Sequence, residues 1–232
     1  MHIPDGFINA PISLAAGAAS LTGVAVSLRK AAHELDERRA PLAGLVAAFV
    51  FAAQMVNFPI AAGTSGHLLG GVLAAVLVGP WTGAICLTLV LVVQGLVFAD
   101  GGLSAVGLNV LNMAFIGGVG GYAVFAMLRR VAPSTRGAVV VVSGIAAGVS
   151  VVLASIGFWV EYALGGTTGV NLTAVFGAMV GVHALIGVGE GVLTGLTVGA
   201  VLAVRPDLVY GARGLIAPPT VLPPVSAGAP GR

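Results

Sequence analysis

The sequence predicts an all-α, polytopic membrane protein: a compact bundle of seven transmembrane helices with the N-terminus outside and the C-terminus cytoplasmic. Three observations predict it. Of 232 residues, 58% are apolar and only 8% charged, against about 25% charged in an average soluble domain. The apolar residues form runs approaching the roughly 20 that a bilayer core of about 30 Å requires. The 10 Lys and Arg residues all fall in alternate inter-span segments, which the positive-inside rule makes cytoplasmic. This composition disfavours a soluble enzyme, a nucleic-acid binder and a disulfide scaffold together. The net charge of +2 comes from so few groups that their placement matters more than their sum.

The spans follow in order. The first, 11–28, runs into Arg29, Lys30, Arg38 and Arg39, and no basic segment precedes it, so no cleavable signal peptide is expected. His33, in that charged loop, is expected to be solvated. The second span, 42–57, and a short third, 67–79, flank an external 58–66 loop. The fourth, 81–98, carries the lone Cys86, which reads as a small apolar packer. The fifth, 104–128, follows an external 99–103 loop and leads to Arg129, Arg130 and Arg136. The sixth, 137–164, and seventh, 172–204, flank an external 165–171 loop. A continuous helix over 172–204 would measure about 50 Å, so tilt, a kink or a half-buried lead-in is expected. Splitting it would move Arg205 and Arg213 outside.

Small residues mark helix seams. Gly187, Gly191, Gly195 and Gly199 line one helix face, which lets a neighbouring backbone come close. Ala15, Ala19 and Gly23, and Gly117 with Gly121, repeat the spacing. Two regions are expected: a membrane-embedded domain over 1–207 and a Pro-rich cytoplasmic tail over 208–232, ending at Arg232 and expected to be disordered.

The start Met1-His2-Ile3-Pro4-Asp5-Gly6 has definite coordination chemistry. A free α-amine, the deprotonated amide nitrogen of His2 and its imidazole Nδ1 close a five-membered and then a six-membered chelate on one metal. Their near-coplanar arrangement suits Ni(II) or Cu(II) rather than tetrahedral Zn(II). Met1 is expected to persist, because a bulky second residue disfavours methionine excision. His67 follows Gly63-Thr64-Ser65-Gly66 at the outer start of the third span, and the arginine-derived topology places it on the same face as His2. One of its nitrogens could supply the fourth corner. All such ligands bind deprotonated, so affinity is expected to fall between roughly pH 8 and pH 5, with more than one proton released on binding.

Polar groups inside a membrane need partners; Gln54, Asn57, Gln94, Asn109, Asn112, Glu161, His183 and Glu190 are such groups. Metal-bound imidazoles usually have their second nitrogen fixed by a hydrogen bond. Asn57, Asn109 and Asn112 are the candidates for that role, with Ser65 and His183 as further neighbours of the metal. His183 and Glu190 are two turns apart on one helix face, too far for a direct bond.

On these blocks the chain resembles the CbiM/NikM substrate-capture components of energy-coupling-factor nickel and cobalt transporters. The likeness lies in Met1-His2-Ile3-Pro4-Asp5-Gly6, in Gln54-Met55-Val56-Asn57-Phe58-Pro59-Ile60 leading to Gly63-Thr64-Ser65-Gly66-His67-Leu68-Leu69-Gly70-Gly71, in Phe98-Ala99-Asp100-Gly101-Gly102 with Asn109 and Asn112-Met113, and in His183-Ala184 with Gly189-Glu190-Gly191. The resemblance covers about residues 1–207 and implies Co(II) or Ni(II) as the transported substrate. It implies Met1, His2 and His67 as ligands, and an extra N-terminal span that tucks the N-terminus into the bundle. It also implies a transmembrane coupling subunit, cytoplasmic ATPases and a small membrane subunit, expected here as a separate chain. The chain carries no G-x-x-x-x-G-K-[ST] phosphate loop, so ATP hydrolysis is expected to reside in a partner. The rival from another class is a rhomboid-like intramembrane serine protease, with Ser65 in a G-x-S-G pattern and His183 as its base. It leaves Met1-His2 unexplained. A passive metal channel lacks the charged or carbonyl rings of a pore.

Overall fold

A computed structural model describes residues 1–33, 35, 39–60 and 64–215. Arg38, Gly63 and Arg232, with residues 216–232 of the tail, lie outside the described residues. The elements are α1 (Ala10–Ala31), α2 (Arg39–Gln54), a two-residue antiparallel hairpin of β1 (Phe58–Pro59) and β2 (Ser65–Gly66), α3 (Gly71–Val78), α4 (Pro80–Val97), α5 (Val106–Val110), α6 (Gly121–Val131), α7 (Arg136–Gly165) and α8 (Leu172–Val204). A π-helical stretch, Leu111–Gly120, joins α5 to α6, so Val106–Val131 is one continuous rod. Counted that way, the described residues form the seven helices the sequence predicts, and five of them are long and apolar enough to cross a membrane.

The third predicted span differs most from expectation. Only the 8 residues of α3 are helical and all of them are buried, a rise of about 12 Å. Thr64 and His67–Gly70 run as non-helical backbone. Glycine explains both ends of α3. Gly70 sits at φ 72 where a side chain would strike Val50, and Gly71 abuts the backbone of Gly117 and Gly118. At the other end Gly79 (φ 101) and Pro80 turn the chain into α4, whose Gly83 lies on the Ala75 backbone. Non-helical backbone survives at such depth only where protein surrounds it and satisfies its polar groups. Here Glu190 of α8 accepts from the N–H of Leu69 (2.8 Å) and of Gly70 (2.6 Å), and Gln54 donates to Leu69 O (2.7 Å).

The glycine stripe of α8 packs on α7. A Cβ at Gly187 would meet Gly148 O, and one at Gly191 would meet Gly144 O, while Gly195 and Gly199 lie over Val140. The helix runs unbroken through its 33 residues, past those glycines. On α1, Gly17 lies on Gly107, Gly23 lies under the Phe115 ring, and Ser20 Oγ donates to Gly107 O (2.6 Å). The tail predicted from 208 onward is folded at its start. Short 3₁₀ turns at Pro206–Leu208 and Tyr210–Ala212 bury Val209 and Ala212, with Gly211 against Phe125 and Val76.

Four segments predicted to share one face meet at one end of the bundle. The N-terminal segment bridges Ile8 to Gly166, and Thr167 N donates to Phe7 O (3.1 Å). Gly102 N donates to Ile3 O (2.9 Å), and Asn57 Nδ2 donates to Asp100 Oδ2 (2.9 Å). At the opposite end Lys30 lies over the Trp81 ring.

Candidate metal centre

Residues 1–8 enter the bundle as a non-helical segment that turns at Asp5 and Gly6, with Met1, His2, Ile3, Phe7 and Ile8 buried. Buried backbone outside any helix or sheet must find other partners for its polar groups. Asn109 supplies two of them, accepting from Ile3 N (2.8 Å) and donating to Ile3 O (3.4 Å). Asp5 Oδ1 accepts from Ser104 N (2.8 Å) and Ser104 Oγ (2.6 Å), which holds its carboxyl below the usual carboxylate range. The 100–104 loop lies so close that a Cβ on Gly101 would strike His2 and Asn109, and one on Gly102 would strike Pro4 and Asp5.

This segment brings the His2 ring to 4.6 Å from the His67 ring, centroid to centroid, with the planes tilted by 33°. His67 lies in the non-helical stretch that Glu190 and Gln54 hold. Its Nδ1 is 2.8 Å from Leu68 O. A carbonyl only accepts, so Nδ1 carries the proton of the neutral ring and Nε2 is left as a bare lone pair; Nε2 is buried with no partner. His183 repeats the device on α8, with Nδ1 at 2.7 Å from Met179 O and a buried, unpartnered Nε2. It lies within electrostatic range of the Met1 amine and His67.

His2 is held from both sides. Nε2 is 3.2 Å from Gln94 Oε1 and Nδ1 is 3.2 Å from Asp100 Oδ1. A neutral imidazole has one proton to give. With it on Nε2, Gln94 accepts and Nδ1 keeps its lone pair on the side of Asp100, the tautomer a chelate needs. Burial pushes the Met1 amine down to about 4, against the raising influence of Asp100. Burial first, and then the neighbouring amine, push His2 down to about 3, with the Gln94 hydrogen bond opposing. In the folded chain both groups are therefore uncharged at neutral pH, as metal donors must be.

Among the described residues, no three His, Cys, Asp or Glu side chains form a metal cluster. What comes together here is instead the main-chain start at residues 1 and 2 and the imidazoles of His2 and His67. The predicted neighbours separate into two groups. Asn109 clamps Ile3, Asn57 holds Asp100, Ser65 has a buried, unpartnered Oγ in the cleft beside His2, and His183 is near enough to the amine to feel its charge. Asn112 lies elsewhere: its amide donates to Glu161 (2.6 Å) between the π-helical stretch and α7. Sequence reasoning missed Gln94 and Asp100 as neighbours of His2. Gln94 carried the signal of a polar residue inside an apolar span, and Asp100 lies in a loop with Ala99 at φ 53 and Gly101 at φ 95. The protease arrangement fails here, because Ser65 Oγ and His183 Nε2 both lack a hydrogen-bond partner and so do not bond each other, whereas an activated serine requires that bond.

Comparison with known proteins agrees with this geometry. The family described as cobalt uptake substrate-specific transmembrane region, CbiM, matches residues 2–208. The cobalt transport protein CbiM of Sorangium cellulosum is 34% identical over 90% of this chain and 94% of its own. The fused nickel transport protein NikMN of Rhodobacter capsulatus is 41% identical over 60% of this chain and 39% of its own. The crystal structure of a transition metal transporter superposes with a TM-score of 0.81 at 32% identity, covering 88% of this chain and 93% of that one. These are transporters rather than enzymes, and the rhomboid alternative has no support among them. This multi-pass membrane chain belongs to the CbiM family, the substrate-specific transmembrane region of cobalt uptake systems.

Proposed function

We propose that the chain is the substrate-capture component of an energy-coupling-factor transporter and that it takes up Co(II) or Ni(II). The metal is bound by the Met1 α-amine, the amide nitrogen and Nδ1 of His2, and Nε2 of His67. The amide loses its proton only as the metal replaces it. Gln94 orients the His2 ring, Leu68 O orients His67, and Asn109 fixes the backbone just beyond the chelate. The observation that carries this reading is the convergence of the buried Met1 terminus with two imidazoles whose ring centroids lie 4.6 Å apart, one of them with its Nε2 bare.

Capture is at the extracytoplasmic face of a cell membrane, because Arg29, Lys30, Arg129, Arg130, Arg136 and Arg205 stand at the helix ends away from the site and cytoplasmic ends carry that excess. Residues 1–207 form the membrane-embedded capture domain, and the chain from 208 onward lies on the cytoplasmic side. ATP hydrolysis is supplied by cytoplasmic ATPases through a transmembrane coupling subunit, with a small membrane subunit as a separate chain. A three-nitrogen chelate that begins at the α-amine has no tolerance for residues placed before Met1. Calorimetry with Ni(II) and Co(II) should therefore detect tight binding for the chain with a free Met1 amine and for a C-terminally tagged chain, and none for an N-terminally extended one. Equal binding by the extended chain would refute the reading.

A further inference from the structure

A cleft of about 220 Å³ opens beside the N-terminal segment, with His2, Asp5, Ser65, Asp100 and Gly102 among its lining residues. Its two acids differ. Asp5 spends Oδ1 on Ser104 N and Ser104 Oγ and so belongs to the scaffold of the segment. Asp100 accepts from Asn57 through Oδ2, which leaves Oδ1 turned inward, 3.2 Å from His2 Nδ1. The His2 side chain is 3% exposed and that of Asp100 16%, so the carboxylate stands between solvent and a buried nitrogen. His2 Nδ1 is itself buried without a hydrogen-bond partner. Among the described residues, no Lys or Arg lines the cleft. The backbone that presents Asp100 is strained: Ala99 at φ 53 is the one positive-φ non-glycine among the described residues, and such outliers persist where surrounding structure enforces them.

We infer that Asp100 is the first protein contact of the incoming hydrated dication, holding it in this cleft and passing it to His2 Nδ1. The inference rests on the proposed chelate. A hydrated nickel or cobalt ion exchanges its waters slowly, so the capture rate is the product of an outer-sphere association constant and the rate of water loss. A carboxylate at the mouth of a low-dielectric cleft raises the first factor by focusing the field on the approach path. Asp100 then acts on arrival, while the four nitrogens determine residence. Its position against Nδ1 makes the transfer short, because a cation held by Oδ1 is already beside the first imidazole.

Stopped-flow absorbance of Ni(II) binding to the full chain with a free Met1 amine, at low and high ionic strength, tests this. In the wild type the association rate should fall as salt rises. Asp100→Asn should lower that rate about tenfold and flatten its salt dependence, with the dissociation rate little changed. Asp100→Glu should keep most of the rate and its salt dependence. An unchanged association rate in Asp100→Asn, or a loss confined to dissociation, would overturn the assignment. Should Asp100→Asn not fold, an association rate of the wild type that ignores salt would overturn it. Failure of the chelate itself is separately visible, because the N-terminally extended chain would then bind as the wild type does.

Discussion

The end of the bundle that holds the N-terminus and the α7–α8 hairpin both bring backbones close inside an apolar bundle, by opposite means. In the hairpin, side chains are removed: Gly144 and Gly148 meet Gly191 and Gly187, and two regular helices approach closely along their length. At the N-terminal end, regular structure is given up, and buried polar side chains hold bare backbone in place. Asn109 holds Ile3, Gln54 and Glu190 hold Leu69 and Gly70, and Asp5 holds Ser104. The first arrangement provides stability. The second exposes main-chain nitrogens and imidazole lone pairs that a helix would conceal, which is what a metal requires. Perturbing the hairpin should change stability and spare affinity; perturbing the N-terminal end should change affinity first.

The largest effect is expected from His2→Ala, which removes one donor and the ring that Gln94 orients. Nickel affinity should fall at least about a thousandfold, or about 4 kcal/mol, by calorimetry. His67→Ala leaves the three-nitrogen chelate with an open fourth corner, and a loss of about a hundredfold is expected. Glu190→Gln tests whether the support matters as much as the ligands. One amide oxygen cannot replace two carboxylate oxygens, and the new NH₂ faces an N–H. Metal affinity should fall about tenfold, within the range for residues that orient ligands, with a stability loss of about 1–3 kcal/mol. Gly191→Ala forces a methyl onto Gly144 O and should lower stability by about 1–3 kcal/mol, yet leave the dissociation constant of the folded chain within about twofold. An affinity loss there as large as in Glu190→Gln would break the comparison.

The pH dependence sharpens it further. An unseated N-terminus titrates near its ordinary 8.0 and His2 near 6.5, whereas in the seated segment they are lowered to about 4 and about 3. The unseated form binds more protons between those limits, so seating is fully favoured above pH 8 and is lost progressively as pH falls toward 4. At neutral pH the seated chain has only the His2 amide proton to release. Calorimetry in buffers of different ionisation enthalpy should count about one proton near pH 7, with the affinity loss displaced to acid of the window from pH 8 to 5 that unperturbed groups would give. A count of two or more at pH 7 would mean that the terminus is not seated before the metal arrives.

Much of this was legible in the sequence because it is local. Apolar runs gave the helices, and the arginines sorted the loops into two ends. Together these implied that His2 and His67 share an end, although 65 positions separate them. What stayed hidden depends on pairings that no local pattern encodes. Glu190 reaches the backbone of Leu69 from 121 positions away, and the Gln94–His2 contact spans 92. Asn112 looked like Asn109 in composition and spacing, yet the π-helical stretch directs it to Glu161. The third span read as a short helix because its apolar content is real. Only packing against Val50 and Gly118 reveals that Gly70 and Gly71 delay the helix.

The central claim is that main-chain nitrogens of residues 1 and 2 bind the metal with two imidazoles. X-ray absorption on the nickel-loaded chain with a free Met1 amine tests it most directly. The account predicts a first shell of four nitrogens, a pre-edge feature of planar geometry, and outer-shell scattering from two imidazole rings that drops to one in His67→Ala. A six-coordinate shell rich in oxygen, or one unchanged by N-terminal extension, would contradict it.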